Sequence, residues 1–120
     1  MEYINYIVIA LIIIFFIQRF LPTKGVKQIT TAELAKELND KNKQYIDVRT
    51  PGEFKANHIS GFKNIPLHQL ENKAQELSNE KEVIVICQSG MRSNKASKLL
   101  KRQGFKQVTN VKGGMGVWVS

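Results

Sequence analysis

A chain of 120 residues with 42% hydrophobic and 23% charged side chains has room for one small globular domain and little more. Its formal charge of +8 lies wholly beyond residue 21, because Glu2 and Arg19 cancel before it; this reads either as a solvated surface or as attraction to anionic lipid, acidic partners or an anionic substrate. The single cysteine excludes an internal disulfide and fits a reducing compartment, no Cys or His spacing suggests a metal site, and no interleaving of aromatic and basic residues marks a nucleic-acid module.

The first element is apolar. Tyr6 to Ile17 is an unbroken run, and extending it over Tyr3–Leu21 takes in Asn5, Gln18 and Arg19 near its ends. A helix of about 20 residues spans a hydrocarbon core, so residues 1–21 are expected to form a transmembrane anchor touching lipid through residues 3–21. Tyr3 and Tyr6 suit one interface, and Arg19 can snorkel at the other. A cleavable signal peptide is the rival. It would carry a basic front and a small-residue cleavage site, and neither Met1-Glu2-Tyr3 nor Gln18-Arg19-Phe20-Leu21-Pro22 supplies them. Arg19, Lys24 and Lys27 follow the run and no basic side chain precedes it. The positive-inside rule then gives a single-pass cell-membrane protein with its N-terminus outside and residues 22–120 in the cytoplasm. Pro22 is expected to end the helix, and residues 22–25 to form a short linker.

Residues 26–120 read as one domain. Val26–Ile29 is a short strand. Thr30 with Glu33 three residues later has capping-box spacing and opens a helix through Leu34 and Leu38. Tyr45–Val48 is a second strand, which Pro51-Gly52 breaks before a short turn or helix. Ile65-Pro66 is a brief extended piece. Leu67, Leu70, Ala74 and Leu77 keep helical spacing, predicting a helix over 67–78. Val83–Ile86 is the most buried-looking strand. A helix over 92–103 follows, terminated by Gly104, then a strand over 107–111, and Val117 and Trp118 pack a last turn onto the core. Strands alternating with helices imply an α/β domain with a mostly parallel sheet covered on both faces.

In such sheets ligands bind beyond the carboxyl ends of the strands. Cys87 lies at such an end and opens the loop Cys87-Gln88-Ser89-Gly90-Met91-Arg92-Ser93 ahead of a helix. There a thiol meets a positive helix end, free backbone N–H groups and an arginine, the surroundings of a nucleophilic thiolate. A free cysteine is otherwise most often a small buried hydrophobe. Gly90, Arg92 and the strand-to-helix position favour the reactive reading.

Several motifs stand in order along the domain: Asp47-Val48-Arg49, Glu53-Phe54, His58-Ile59-Ser60-Gly61-Phe62-Lys63-Asn64-Ile65-Pro66, the Cys87 loop, and Gly113-Gly114-Met115-Gly116-Val117-Trp118. Each is weak alone. Together, in this order and spacing, they make most of residues 26–120 resemble a single-domain rhodanese, or thiosulfate sulfurtransferase. The resemblance implies a five-stranded, mostly parallel sheet flanked by helices, and a cysteine that carries sulfur as a persulfide. Members of that family usually run several residues past the Gly-Gly…Trp motif, so a trimmed last strut is expected here.

On this reading Cys87 is the nucleophile. The N–H groups of Gln88, Ser89, Gly90, Met91 and Arg92 can curl into a nest for a thiolate or persulfide anion. Gly90 supplies backbone freedom, and the planar fork of Arg92 suits an oxyanion such as thiosulfate. Ser93 can cap the helix or donate into the loop. Gln88 and Ser89 line the mouth. Four residues separate Cys87 from Arg92. Cysteine-dependent phosphatases and arsenate reductases have five, and in the resembling family the shorter loop suits a single sulfur atom.

Asp47 and Arg49 read as structural support, because buried carboxylates need partners. Arg49 and Glu53 form a plausible ion pair shaping the turn after the second strand. His58 reads as a structural hydrogen bond and His68 as exposed. Lys95, Lys98, Lys101 and Arg102 are a solvated helix face or a contact for anionic lipid or an acidic sulfur-accepting protein.

The expected activity is therefore sulfur transfer from thiosulfate or another persulfide to a thiophilic acceptor, thiol or protein, with cyanide as an in vitro acceptor. No metal or organic cofactor and no nucleic acid is implied. With no second cysteine, the acceptor is another molecule. The alternatives are a tethered, non-enzymatic sulfur carrier or docking module and, further off, the phosphatase or arsenate reductase.

Overall fold

In the computed structural model of the chain, residues 2–20 and 24–119 are described, residues 19 and 20 as backbone only. The helix α1 (Glu2–Phe20) comes first. The strands β1 (Val26–Ile29), β2 (Gln44–Asp47), β3 (Lys63–Asn64), β4 (Val83–Ile86) and β5 (Val108–Val111) then alternate with α2 (Thr31–Glu37), α3 (Pro51–Ala56), α4 (Leu67–Lys73) and α5 (Met91–Arg102). Short 3-10 turns cover Ala74–Glu76 and Gly114–Val117. The strands form one sheet in the order β1-β5-β4-β2-β3, with every pairing parallel.

β4 lies at the centre of that order and all four of its residues are buried, which is why it reads as an uninterrupted apolar run. Alternate side chains feed two cores. Val83, Val85 and Cys87 join Leu70, Ala96 and Leu100 beneath α4 and α5. Ile84 and Ile86 join Ile29, Leu34, Ile59 and Met115 on the opposite face. The thiol is thus the next side chain along β4 on the α5 face.

Local signals place the ends of elements. Thr30 and Glu33 cap α2 reciprocally. α3 begins with a second capping box, in which Thr50 Oγ1 accepts from the Glu53 N–H and Glu53 Oε1 accepts from the Thr50 N–H, with Pro51 in the first turn. α5 ends in a Schellman arrangement: the Phe105 N–H donates to the Leu100 carbonyl and the Gly104 N–H to that of Lys101.

Two expectations shift. The extended piece after His58 pairs at Lys63–Asn64, two residues before Ile65-Pro66. The helix over 67–78 stops at Lys73 and tightens into a 3-10 turn, because the Gln44 amide takes both backbone groups of Ser78 at 2.8 Å and pulls the chain into extended form at Leu77.

The N-terminal expectation needs correction. Among the described residues no helix is long and apolar enough to cross a membrane. The unbroken apolar stretch Tyr6–Ile17 is about 18 Å long at helical rise, against a hydrocarbon core of about 30 Å, and Asn5 and Gln18 bracket it. The transmembrane anchor over 1–21 therefore gives way to a 19-residue helix whose side chains, from Glu2 to Gln18, are all exposed. The single-pass topology drawn from Arg19, Lys24 and Lys27 falls with the span. The expected helix end at Pro22 lies outside the described residues.

Candidate active site

Cys87 directly follows β4, and α5 begins four residues later at Met91. The thiol is fully buried and free. Gly90 adopts φ 102°, which turns its N–H back onto the sulfur at 3.0 Å. The thiol in turn donates to Ser93 Oγ at 3.3 Å, and the Ser93 hydroxyl donates to the Gly90 carbonyl at 3.1 Å. Once the thiol proton is gone, that hydroxyl is free to turn toward the sulfur. A negative sulfur here would face one backbone N–H, one hydroxyl and the N-terminal end of a 12-residue helix. Gln88, Ser89 and Met91 are exposed at the surface of the loop.

The outer side of the loop is held by the turn after β5. The Met115 N–H donates to the Cys87 carbonyl and the Gly116 N–H to the Gln88 carbonyl, both at 2.8 Å. Those bonds draw two carbonyls of the loop outward. The approach is so close that a Cβ on Gly114 would collide with the Cys87 carbonyl oxygen. Gly114 and its neighbours are thus part of the site, a role that the sequence signals only as a Gly-Gly-Met-Gly run.

The charged residues pair differently from the sequence expectation. Arg49 does not pair with Glu53. It lies buried against Asp47, with Nη2 2.9 Å from Oδ2 and Nε 3.1 Å from both carboxylate oxygens. Arg49 also donates to the Asn57 carbonyl at 2.6 Å and to Gln88 Oε1 at 3.3 Å, which links the end of β2 to the loop. Asn64, unremarked in the sequence except within its motif, donates to the carbonyls of both Asp47 and Arg49.

Glu53 instead takes Arg92. Nη1 and Nη2 donate to Oε1 and Oε2 at 2.7 and 2.9 Å, a fork-to-fork pair. The bonds from Arg92, helped by those from Thr50, hold the Glu53 carboxyl down at about 2. Arg92 is pushed above its ordinary value, first by Glu53 and then by the nearby negative charge of Cys87 and Asp47. The arginine fork expected to face an oxyanion is therefore turned to α3, where it ties the first turn of α5 to that helix.

His58 Nδ1 donates to the Phe54 carbonyl, 2.8 Å away, and the ring stacks on that of Phe54 with centroids 3.9 Å apart. His68 is exposed. Among the described residues no His/Cys/Asp/Glu group could hold a metal ion.

Comparison with known proteins agrees with this geometry. Residues 30–120 match the rhodanese-like domain family. The Bacillus subtilis protein YqhL is 35% identical over 112 residues, covering 93% of this chain and 88% of YqhL. The thiosulfate sulfurtransferase GlpE of Pseudomonas syringae is 33% identical over 86 residues, covering 72% of this chain and 81% of GlpE. A rhodanese-like domain protein from Staphylococcus aureus has the same fold in its crystal structure, with a TM-score of 0.73 at 32% identity, covering 79% of this chain and 93% of that one. An all-parallel five-stranded sheet, a cysteine loop at the end of its central strand and a match over three quarters of the chain make it a member of the single-domain rhodanese-like sulfurtransferase family.

Proposed function

We propose that the chain moves sulfane sulfur through a persulfide on Cys87. The observation that carries this reading is the sulfur itself, buried at a strand end and already accepting the Gly90 N–H inside a loop braced from behind. In the first half-reaction the Cys87 thiolate attacks the outer sulfur of thiosulfate. A Cys–S–S⁻ bond forms, the donor's S–S bond breaks, and sulfite leaves with the electron pair. In the second, a thiolate or cyanide attacks the outer sulfur, the new S–S bond breaks, and the electron pair returns to Cys87. Charge and atoms balance without an oxidant, a metal or a second cysteine.

The loop acts by placing charge before it is needed. The Gly90 N–H and the start of α5 stabilise negative sulfur, and Ser93 follows as the proton leaves. Arg92 adds its field from its seat on Glu53 without touching the donor, so backbone groups carry the recognition. With its fork engaged, the loop lacks the free guanidinium that phosphate chemistry would use to clasp a tetrahedral oxyanion, which supports sulfur over phosphate.

Incubation with thiosulfate should add the mass of one sulfur atom to Cys87, and cyanide should then release thiocyanate. The Cys87→Ser variant should do neither. Absence of both products from the wild-type chain would sink the proposal, as would Cys87-dependent hydrolysis of a phosphate ester in their place.

We place the reaction at a lipid surface. From Tyr6 to Ile17 α1 is apolar on all sides and its side chains are exposed to solvent, a state that costs free energy in water and is relieved in an apolar phase. The chain should float with liposomes, and Ile9→Lys with Ile13→Lys should release it.

A further inference from the structure

α5 differs in charge from the helices around it. α2, α3 and α4 each carry a glutamate, whereas the twelve residues of α5 include five basic side chains and no acidic one. Arg92 is engaged by Glu53. Lys95, Lys98 and Arg102 are exposed and make no ion pair among the described residues, unlike Lys43, Lys63 and Lys106 elsewhere on the domain. With the exposed Met91 they are spaced at steps of four, three and four residues. That spacing keeps one side of a helix, so the four form a single outward stripe opposite the buried Ser93, Ala96, Ser97 and Leu100. The flank toward β1 continues the same sign. Lys95, Lys98 and Lys112 line one cleft of about 530 Å³ that no aspartate or glutamate lines.

A second observation is where α1 joins the domain. Every strand pairing is parallel, so Gly25, just ahead of β1, enters at the edge of the sheet opposite Cys87. A Cβ on Gly25 would lie 3.4 Å from Lys101 Cε, which sets this entry against the last turn of α5. α5 thus runs about 18 Å between the cysteine loop at one end and the α1 junction at the other. A domain standing upright on that junction would hold the loop away from the lipid that α1 enters. A domain lying on α5 would bring the loop down to it.

We infer that α5 lies along an anionic lipid surface, with Lys95, Lys98 and Arg102 among the headgroups, Met91 at the apolar boundary and the Cys87 loop opening at the level of the lipid. The inference rests on the placement of α1 proposed above and adds to it an orientation and a headgroup charge. Each basic side chain at an anionic surface strengthens binding about fivefold, so three together are worth about a hundredfold.

The test is partition of the full chain onto vesicles of phosphatidylcholine alone and of phosphatidylcholine mixed with phosphatidylglycerol. The anionic vesicles should bind more tightly at low salt, and high salt should shrink the gain. Lys95→Gln with Lys98→Gln and Arg102→Gln should remove most of that gain. Lys36→Gln with Lys41→Gln and Lys55→Gln loses the same charge from elements packed on the other face of the sheet, and should keep most of it. Sulfur loading from thiosulfate without vesicles should be the same in both variants. Acetylation of the wild-type chain reads the orientation: anionic vesicles should shield Lys95 and Lys98 from the reagent and leave Lys36, Lys41 and Lys55 reactive. Equal loss of the gain in the two variants, or equal acetylation of the two sets of lysines, would overturn the inference. So would polyglutamate binding that depends on Lys95, Lys98 and Arg102 with no gain on anionic vesicles, since the stripe would then face an acidic protein. Neutral vesicles report α1 alone. If they bind nothing while anionic vesicles hold the wild type and release the α5 variant, the α1 reading fails and the stripe stands; if neutral and anionic vesicles bind alike, the stripe fails alone.

Discussion

The inner and outer faces of the Cys87 loop are built on opposite plans. The inner face offers the sulfur two close polar groups, the Gly90 N–H and Ser93 Oγ, and little else. The outer face carries a dense frame of Asp47–Arg49, Glu53–Arg92 and the 114–116 backbone, each tying the loop to a different element. A loop that must hold a charged sulfur in fixed geometry needs its rigidity from behind, because any group placed in front would occupy the space that a donor has to enter. Damage behind the loop should therefore appear first as lost stability, and damage in front as lost transfer at nearly unchanged stability.

The largest effect is expected behind the loop. Arg49→Ala leaves Asp47 as an unpaired buried charge and should cost about 4 kcal/mol in denaturant unfolding. A loss under about 1 kcal/mol would mean that the Asp47 pocket is wet and the frame softer than drawn. Gly114→Ala comes next, at about 3 kcal/mol, since its methyl meets the Cys87 carbonyl and a backbone shift must follow. Sulfur loading should fall with it, as the carbonyls of Cys87 and Gln88 lose their alignment.

Ser93→Ala probes the inner face. The Asn94 N–H also donates to the Gly90 carbonyl, so stability should change by about 1 kcal/mol or less, while the rate of sulfur loading drops about tenfold. Equal losses in both would erase the distinction between the two faces.

Glu53→Gln is the mildest, at about 1 kcal/mol near neutrality, because the pair is about one third exposed and solvent screens it. Its pH dependence has a fixed sign. The carboxyl titrates near 2 in the folded chain against 4.5 in an unperturbed one, so its contribution is complete above pH 4.5 and fades as pH falls toward 2. Wild type and variant should converge across that window. A gap that stayed constant down to pH 2 would show that Glu53 acts through packing rather than charge.

Much of the site's position was legible in the sequence. The apolar run Val83–Ile86, the helical spacing after it and Gly104 put Cys87 at a strand-to-helix junction, since each signal acts within a few residues of itself. The capping spacing of Thr30 and Glu33 marks α2 in the same way, and the same spacing in Thr50 and Glu53 was there to be read. The pairing of charges was not legible. Glu53 is four residues from Arg49 and 39 from Arg92, and nearness in sequence favoured the wrong arginine.

What the sequence determined by itself was the order of strands and helices, the location of the lone thiol and the apolar character of α1. These follow from side-chain periodicity and backbone preference, which are local. Only the tertiary structure decided that β4 sits between β2 and β5. That order brings Arg49 to Gln88 from one side and Gly114 against Cys87 from the other, and it sets Asn110 beside Gln28 under the lysines of α5. Such neighbours are chosen by parallel pairing across the sheet and by the burial that pairing permits, and neither is written within reach of any one segment.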